Sequence, residues 1–288
     1  MVEQSPKVLV VGANGTVGRH VTPGLLRSGA EVLALTREPE RATQLPRGAT
    51  PVRGDLTDPE SLAAAAREAD AVFLAWPLHS AEGAAEAVAA LTGNARRVVY
   101  LSSAAVRDVP GGEPESPGRP DAEVEALIAR SGVRYTFLRP HGFMANALRW
   151  AAEIRATGMV RGYGGAAGLT LVDERDIAAV AVRALTEDGH HGARYALTGP
   201  ASPTQAEQVR IIGAAVGRPA RWEEISRAAA RRQLVDSGWP LGIVDGALDF
   251  VAARIDAPEP VTGTVLHVTG APARSLHDWA VEHADRFR

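Results

Sequence analysis

The sequence predicts an α/β protein, a doubly wound parallel sheet carrying a smaller, mostly helical lobe. Three observations predict it. From residue 7 to residue 140, short apolar runs alternate with stretches of helical periodicity. The runs are continuously apolar, as strands buried on both faces must be, and right-handed crossovers then place helices on both faces of a parallel sheet. After Pro140 the rhythm loosens into Gly-rich and Pro-interrupted stretches.

Taken in order, KVLVVG reads as a buried strand and TVGRHVTPGLLRSG as a helix closed by Gly29. EVLALTR is a second strand and PESLAAAARE a second helix. DAVFLAWP, AEGAAEAVAALTG, RRVVYLSS, AEVEALIARSG and RYTFLRP continue as strand, helix, strand, helix and strand. The Pro/Gly-rich DVPGGEPESPGRP at 108–120 is a loop beside the end of a strand. Further on, ERDIAAVAVRALTE is a helix that returns to the sheet, with Asp173 or Asp176 acting in its first turns as a cap. The expected division is a dinucleotide-binding domain over 1–155, with 165–200 returning to its sheet, and a substrate-binding lobe over 156–288.

With 288 residues, 45% hydrophobic, the chain can bury one large core or a core plus a small lobe. No stretch approaches the roughly 18 apolar residues of a spanning helix, and MVEQSPK lacks the order of a signal peptide, so a cytoplasmic location is expected. Without cysteine there is no disulfide, thiolate nucleophile or cysteine metal site. Of the eight histidines only His190 and His191 adjoin, in a loop-like stretch without a ligand pattern, so no metal is expected. Basic residues, nearly all arginine, are balanced by 34 acids at a net charge of -3, which argues against nucleic acid as a partner.

The chemistry begins at VVGANGTVG, where Gly12, Gly15 and Gly18 sit between a strand and a helix. Gly12 and Gly15 let the backbone turn tightly and approach a pyrophosphate, and Gly18 lets helix and strand pack closely. The helix N-terminus then offers its unpaired N–H groups to phosphate, with Asn14, Thr16 and Val17 completing the turn. At the end of the second strand, where an acid would take a ribose 2′-OH, the sequence reads ALTREPER. Arg37 there favours a 2′-phosphate and hence NADPH; the plainer reading is a solvated turn residue. Asp55 and Leu56 in GDLTD stand where an adenine ring could rest, though Asp55 is also an ordinary turn former. The strand ends AWP (Ala75, Trp76, Pro77) and LSS (including Ser102) read as further cofactor walls.

With these motifs the chain resembles the atypical short-chain dehydrogenase/reductases, and more narrowly the NmrA-like family. VVGANGTVGRHV, RGDLTDPESL, SGVRYTFLRPHGFMANAL, LVDERDIAAVAVRAL and YALTGPASPTQAEQVRIIGAAVGR stand in that family's order along nearly the whole length. The resemblance implies a Rossmann-type sheet, an NAD(P)H cofactor and Pro140 as a wall of the nicotinamide site. It leaves the substrate open, since the family includes quinone and ketone reductases as well as redox-sensing regulators.

The chain departs from the wider superfamily in its acid pair. Where those enzymes carry Tyr-x-x-x-Lys, the positions here are Pro117 and Asp121, and the sole lysine, Lys7, precedes the first strand at the opposite edge of the sheet. Ser103 matches the family's catalytic serine, although Ser102 and Ser103 serve equally well as strand-end residues tying down a loop. His141 is the remaining titratable group near such a site, against the plainer reading of a hydrogen-bonding loop residue. His79, Phe143 and Met144 are substrate-pocket candidates, while Trp150, Tyr163 and Trp239 read as lobe core or pocket lining. The expected function is an NADPH-dependent reductase acting on a small-molecule aromatic ketone or quinone, polyketide-like in shape, with the substrate helping its own protonation. A non-catalytic NADP(H)-binding redox sensor is the alternative, and an epimerase would need the missing tyrosine.

Overall fold

A computed structural model describes residues 5–109, 115–116, 120–239 and 241–288. The chain divides into two compact units: 1–141, 174–197 and 264–271 form the first, and 142–173, 198–263 and 272–288 the second.

The first unit follows the strand and helix rhythm of the sequence. Numbered along the chain, it contains β1 (Lys7–Val11), α1 (Gly18–Arg27), β2 (Glu31–Thr36), β3 (Ala49–Arg53), α2 (Pro59–Ala66) and β4 (Ala71–Ala75). It continues through α3 (Ala84–Thr92), β5 (Arg97–Leu101), α4 (Asp121–Arg130), β6 (Arg134–Pro140), α6 (Glu174–Thr186), β10 (Ala193–Leu197) and α10 (Thr264–Thr269). Among the described residues seven strands pair in the order β10-β6-β5-β4-β1-β2-β3, every pairing parallel. This is the Rossmann-type order, with the chain reversing direction across the sheet between β1 and β4. Ligands of such sheets bind outside the carboxyl ends of the strands at that reversal.

The reason for the continuous apolar runs is visible in the packing. Leu9, Val11, Val72, Leu74, Val98 and Tyr100 point to one face, where Leu62, Val88, Leu91, Val124 and Ile128 of α2, α3 and α4 cover them. On the other face α1 packs against α6, so closely that a Cβ on Gly24 would lie 2.8 Å from Val182 Cγ2. Lys7 is the first residue of β1, not a residue before it, and its Nζ bonds Glu68 at 2.8 Å and Glu31 at 3.2 Å at the amino edge of the sheet.

The second unit is mostly helical. It contains β7 (Gly142–Phe143), 3₁₀ turns over Met144–Trp150, α5 (Ala151–Thr157), β8 (Met159–Gly162), β9 (Leu171–Val172) and α7 (Gln205–Ala215). β11 (Arg221–Glu224), α8 (Arg227–Asp236), α9 (Leu241–Asp256), α11 (Leu276–Glu282) and α12 (Ala284–Phe287) complete it. Two short parallel pairs, β8 with β11 and β7 with β9, tie these helices together. The core gathers Trp150, Ile154, Val160, Val209, Ile212, Trp279 and Phe287.

The units divide at His141, where the sequence reading places the division at 155. The cause is burial: Met144, Ala147, Trp150, Ala151 and Ile154 belong to the second core. The return to the sheet spans 174–197, inside the expected 165–200, and α10 joins the first unit by packing on α6 and β10 through buried Val265. Among the described residues, no helix is long and apolar enough to cross a membrane, and no three metal-ligating side chains cluster.

Candidate active site

The turn after β1 shows what its glycines are for. Gly12 has φ +86°, a left-handed conformation that favours glycine, and a Cβ on Gly18 would lie 2.0 Å from the Gly12 carbonyl oxygen. Gly15 donates its N–H to that carbonyl at 2.9 Å and has an ordinary φ. Gly12, Asn14, Gly15 and Thr16 are exposed while Val17 is buried, so the outer rim of the turn is bare backbone with two small polar side chains. Val17 caps α1 without a side-chain hydrogen bond, and the first turn of α1 holds no acid. The Arg19 and His20 N–H groups bond the Gly15 and Val17 carbonyls at 3.1 and 2.9 Å, and the bare turn ahead of them, at the positive end of the helix, fits a pyrophosphate.

Arg37 follows β2 and is exposed; its carbonyl oxygen accepts from Arg53 Nη1 at 3.2 Å, which holds the backbone of the strand tip. Arg53 itself pairs with Glu40 at 2.9 Å. Asp55 Oδ1 accepts from the Thr57 N–H at 2.9 Å and from its hydroxyl at 2.8 Å. The Thr57 backbone bond, then its hydroxyl, hold the Asp55 carboxyl below its usual range, with Arg37 contributing. This is the turn-forming role; Leu56 beside it packs on the sheet core. At the end of β4, Ala75 and Trp76 are half-buried and Pro77 is exposed. A Cβ on Gly12 would lie 3.2 Å from Ala75 Cβ, so the β1 and β4 ends meet at the reversal point of the sheet. Trp76 donates Nε1–H to the Ser80 carbonyl at 3.0 Å, pinning its ring over a loop where His79 is exposed.

Beyond β5 lies a network that the strand-end reading missed. Ser102 is buried, and its hydroxyl donates to Glu125 of α4, so the side chain faces into the protein. Glu125 also accepts from Arg139 Nε at 2.9 Å and Nη2 at 2.6 Å, and Arg139 reaches Asp108 at 2.8 and 3.0 Å. Burial pulls the Arg139 pKa down, and the bonds to Glu125 and Asp108 more than restore it; the Arg139 bond in turn holds the Asp108 carboxyl low. The signals were an arginine inside the apolar run RYTFLRP and a second acid one turn beyond Asp121 on the same helix face.

Asp121, the position of the superfamily's lysine, is buried and accepts from the Tyr100 hydroxyl at 3.4 Å. The tyrosine position, Pro117, lies outside the described residues. Thus α4 carries a buried carboxylate at the lysine position and a second, Glu125, one turn beyond it. Ser103 is half-buried; its Oγ accepts from the Ala105 N–H at 3.1 Å, leaving its own O–H to donate. Pro140 ends β6 buried, with its carbonyl accepting from Ala104 at 3.0 Å, and His141 is half-buried with its N–H on the Leu197 carbonyl at 3.0 Å. The ends of β1, β4, β5 and β6 thus bring Gly12, Ala75, Ser103, Pro140 and His141 to the carboxyl edge of one sheet.

Phe143 and Met144 belong to the second unit. Phe143 is half-buried; Met144 is buried at 1% exposure in that unit's core and also lines a cavity of about 350 Å³ with Leu171, Ile211 and Leu276. Trp150 is core, Tyr163 packs against the small cluster of α8 and α9, and Trp239 is exposed. Asp173 accepts from Arg274 at 2.8 Å, whereas Asp176 lies in the first turn of α6. His190 bonds the Tyr195 hydroxyl at 2.8 Å and His191 accepts from the Tyr135 N–H at 3.2 Å, so both histidines are held as loop ties.

A family model described as NAD(P)H-binding matches residues 12–188. The chain is 41% identical over 286 residues, 97% of this chain and 99% of the relative, to a (4-alkanoyl-5-oxo-2,5-dihydrofuran-3-yl)methyl phosphate reductase of Streptomyces griseus. It is 35% identical over 288 residues, again 97% and 99%, to an NAD(P)H azoreductase of Xenophilus azovorans. Among solved structures, an NADPH-dependent quinone oxidoreductase of Escherichia coli complexed with NADPH aligns with TM-score 0.80 at 22% identity, over 96% of this chain and 99% of that one.

Proposed function

The chain belongs to the NAD(P)H-binding, NmrA-like branch of the atypical short-chain dehydrogenase/reductases, and from that premise we propose that it is an NADPH-dependent reductase of an electron-poor conjugated acceptor. A quinone, or an aromatic ketone beside a phenolic hydroxyl as in a polyketide, is preferred to a simple aliphatic ketone. The observation that carries the reading is the helix α4: Asp121, at the lysine position, is buried and bonded to Tyr100, and Glu125 one turn on is committed to Ser102 and Arg139, so neither offers a free acid to a substrate.

Bound NADPH would supply the hydride and leave as NADP⁺. The open N-terminus of α1 and the turn Gly12–Val17 hold the pyrophosphate, Arg37 takes the 2′-phosphate, Leu56 and Asp55 border the adenine, and Ala75, Trp76, Pro77 and Pro140 wall the site. Hydride addition leaves negative charge on the acceptor, and one proton completes the two-electron reduction. An aliphatic alkoxide would need that proton at once from the protein. A quinone spreads the charge over its ring and second oxygen, and a neighbouring phenol holds a proton ready. The two relatives fit this pattern: an azo group and an alkanoyl dihydrofuranone are both conjugated acceptors. The Ser103 hydroxyl donates to the developing oxyanion, and His141, its N–H on the Leu197 carbonyl, follows the end of the neighbouring strand β6.

The test is loss of NADPH absorbance with a naphthoquinone, with an aromatic ketone carrying an adjacent phenol, with its methylated analogue, and with a simple aliphatic ketone. The first two should be reduced, the methylated analogue much more slowly, and the aliphatic ketone hardly at all. Equal rates for the phenolic ketone and its methyl ether would mean that the protein supplies the acid.

A further inference from the structure

Within the second unit lies a cavity of about 350 Å³ to which the reductase reading gives no role. Eleven residues line it, eight of them apolar, and among the described residues no acid does. Its floor belongs to that unit's core: Met144 is 1% exposed, Leu276 7% and Leu171 8%. Pro200, Ala201 and Pro203, ahead of α7, and Ile211 and Ala214 on α7 form its walls.

The polar groups of the lining are Arg210, Ser275 and His277. Two of them are engaged with Asp278. The Ser275 hydroxyl accepts from the Asp278 N–H at 3.1 Å and donates to Asp278 Oδ2 at 2.7 Å, and His277 Nδ1 lies 3.6 Å from Asp278 Oδ1. Arg210 is exposed on α7, one turn from Ala214 on the same helix face, and so stands at the rim. Glu207, the acid one turn before it, is turned to Thr204, accepting from its N–H at 2.8 Å and its hydroxyl at 2.9 Å. Those bonds hold the Glu207 carboxyl low, and Arg210 acts on it through charge alone. Arg210 is thus the cation that the rim offers to a ligand.

A void of this size takes about a dozen waters, at the roughly 30 Å³ each occupies in the liquid, and apolar walls give them few partners. An apolar body gains by displacing them, and the unbranched Met144 side chain adapts to its shape. By the same measure the space holds a chain of about eight to ten carbons. At the rim a guanidinium fork matches a carboxylate in two parallel bonds, and no acid of the lining opposes it. Apolar walls with one cation at the edge select an amphiphile whose single polar group is an anion.

We propose that this cavity is a binding site for a medium-chain carboxylate, its chain against Met144, Leu171, Ile211 and Leu276 and its carboxylate on Arg210. The site stands on the second unit alone and does not depend on the reductase reading.

The experiment titrates the full chain, labelled at the methionine methyl carbons, with sodium octanoate and in parallel with octanamide, both below micelle-forming concentration. Met144 alone of the described methionines lines the cavity, so its methyl signal should shift with octanoate while that of Met159 stays in place. Octanamide has the same chain without the charge and should bind about five- to tenfold more weakly. Arg210→Gln should bring octanoate down to the affinity of octanamide, and Arg210→Lys should keep part of the difference, since the charge survives without the fork. Ala214→Trp sets a large ring at the cavity wall from an exposed position on α7 and should abolish binding of both, with circular dichroism checking the fold. Absence of a saturable Met144 shift, equal wild-type affinity for octanoate and octanamide, or octanoate binding that Arg210→Gln leaves intact each overturns the proposal. Should Ala214→Trp fail to fold, the surface substitution Arg210→Gln decides by itself.

Discussion

Single side chains decide which cofactor is held and how tightly. Arg37 offers a cation at the β2 tip, and its backbone is braced there by Arg53 on its carbonyl oxygen. Arg37→Ala should weaken NADPH by about 10- to 100-fold, the worth of a charge-assisted pair, and leave NADH affinity nearly as it was. Fluorescence titration with both cofactors measures this, and equal wild-type affinity for the two would remove the 2′-phosphate role. The glycines separate by geometry. Gly15 has an ordinary φ and its added Cβ would meet the Gly12 carbonyl group alone, its oxygen at 3.1 Å and its carbon at 4.0 Å, so Gly15→Val should fold yet lose cofactor binding by obstructing the cradle. Gly18→Ala forces a Cβ to 2.0 Å from the same oxygen and should lower the melting temperature outright. Circular dichroism with calorimetry tells the two apart. Ser103→Ala and His141→Ala should each slow turnover of the best quinone modestly, short of the roughly 10²–10⁴-fold lost with a general acid. Abolition of turnover by His141→Ala in a folded, NADPH-binding protein would overturn the substrate-assisted mechanism.

At the scale of elements, α4 and β6 are fastened by charge through the middle of an apolar layer. Glu125 is 1% exposed and Arg139 7%, so removing one partner strands the other. Glu125→Leu should cost about 3–5 kcal/mol in denaturant unfolding, more than most single substitutions. Asp108 lies at the exposed end of the same chain, and its carboxyl is held low by Arg139. A carboxyl lowered on folding adds stability above its unfolded pKa of about 4, and that stability is lost as pH falls through the lower folded value. Asp108→Asn should therefore be destabilising at pH 7, and the gap between the two melting temperatures should close on acidification below about pH 4. A gap independent of pH would mean that the ion pair contributes nothing. The strand and helix positions around this network were legible beforehand, because apolar period and capping are local. The network was not, because its members are 14 to 31 residues apart and meet only when β5, α4 and β6 are adjacent.

For the whole molecule, the chain crosses between its two units several times, and its last return to the first unit carries α10 before 272–288 rejoin the second. The residues after Gly263 thus serve both cores: Val265 in the first, Trp279 and Phe287 in the second. Truncation after Gly263 should abolish cooperative unfolding of the entire chain, not of a detachable C-terminal lobe. A truncated protein that still melts sharply and binds NADPH would show that the first core is self-sufficient.

By itself the sequence determined the parallel doubly wound sheet, the glycine turn, the basic residue at the β2 tip and the lack of a tyrosine and lysine acid pair. Each of these is written within a few neighbouring residues, as a periodicity, a spacing or an identity. Tertiary structure alone decided that Ser102 turns inward to Glu125, that Asp55 closes its own turn and that 142–155 joins the second core. Those outcomes depend on which distant groups arrive beside a side chain once the core has closed, and a desolvated charge or hydroxyl takes the partner that packing brings to it.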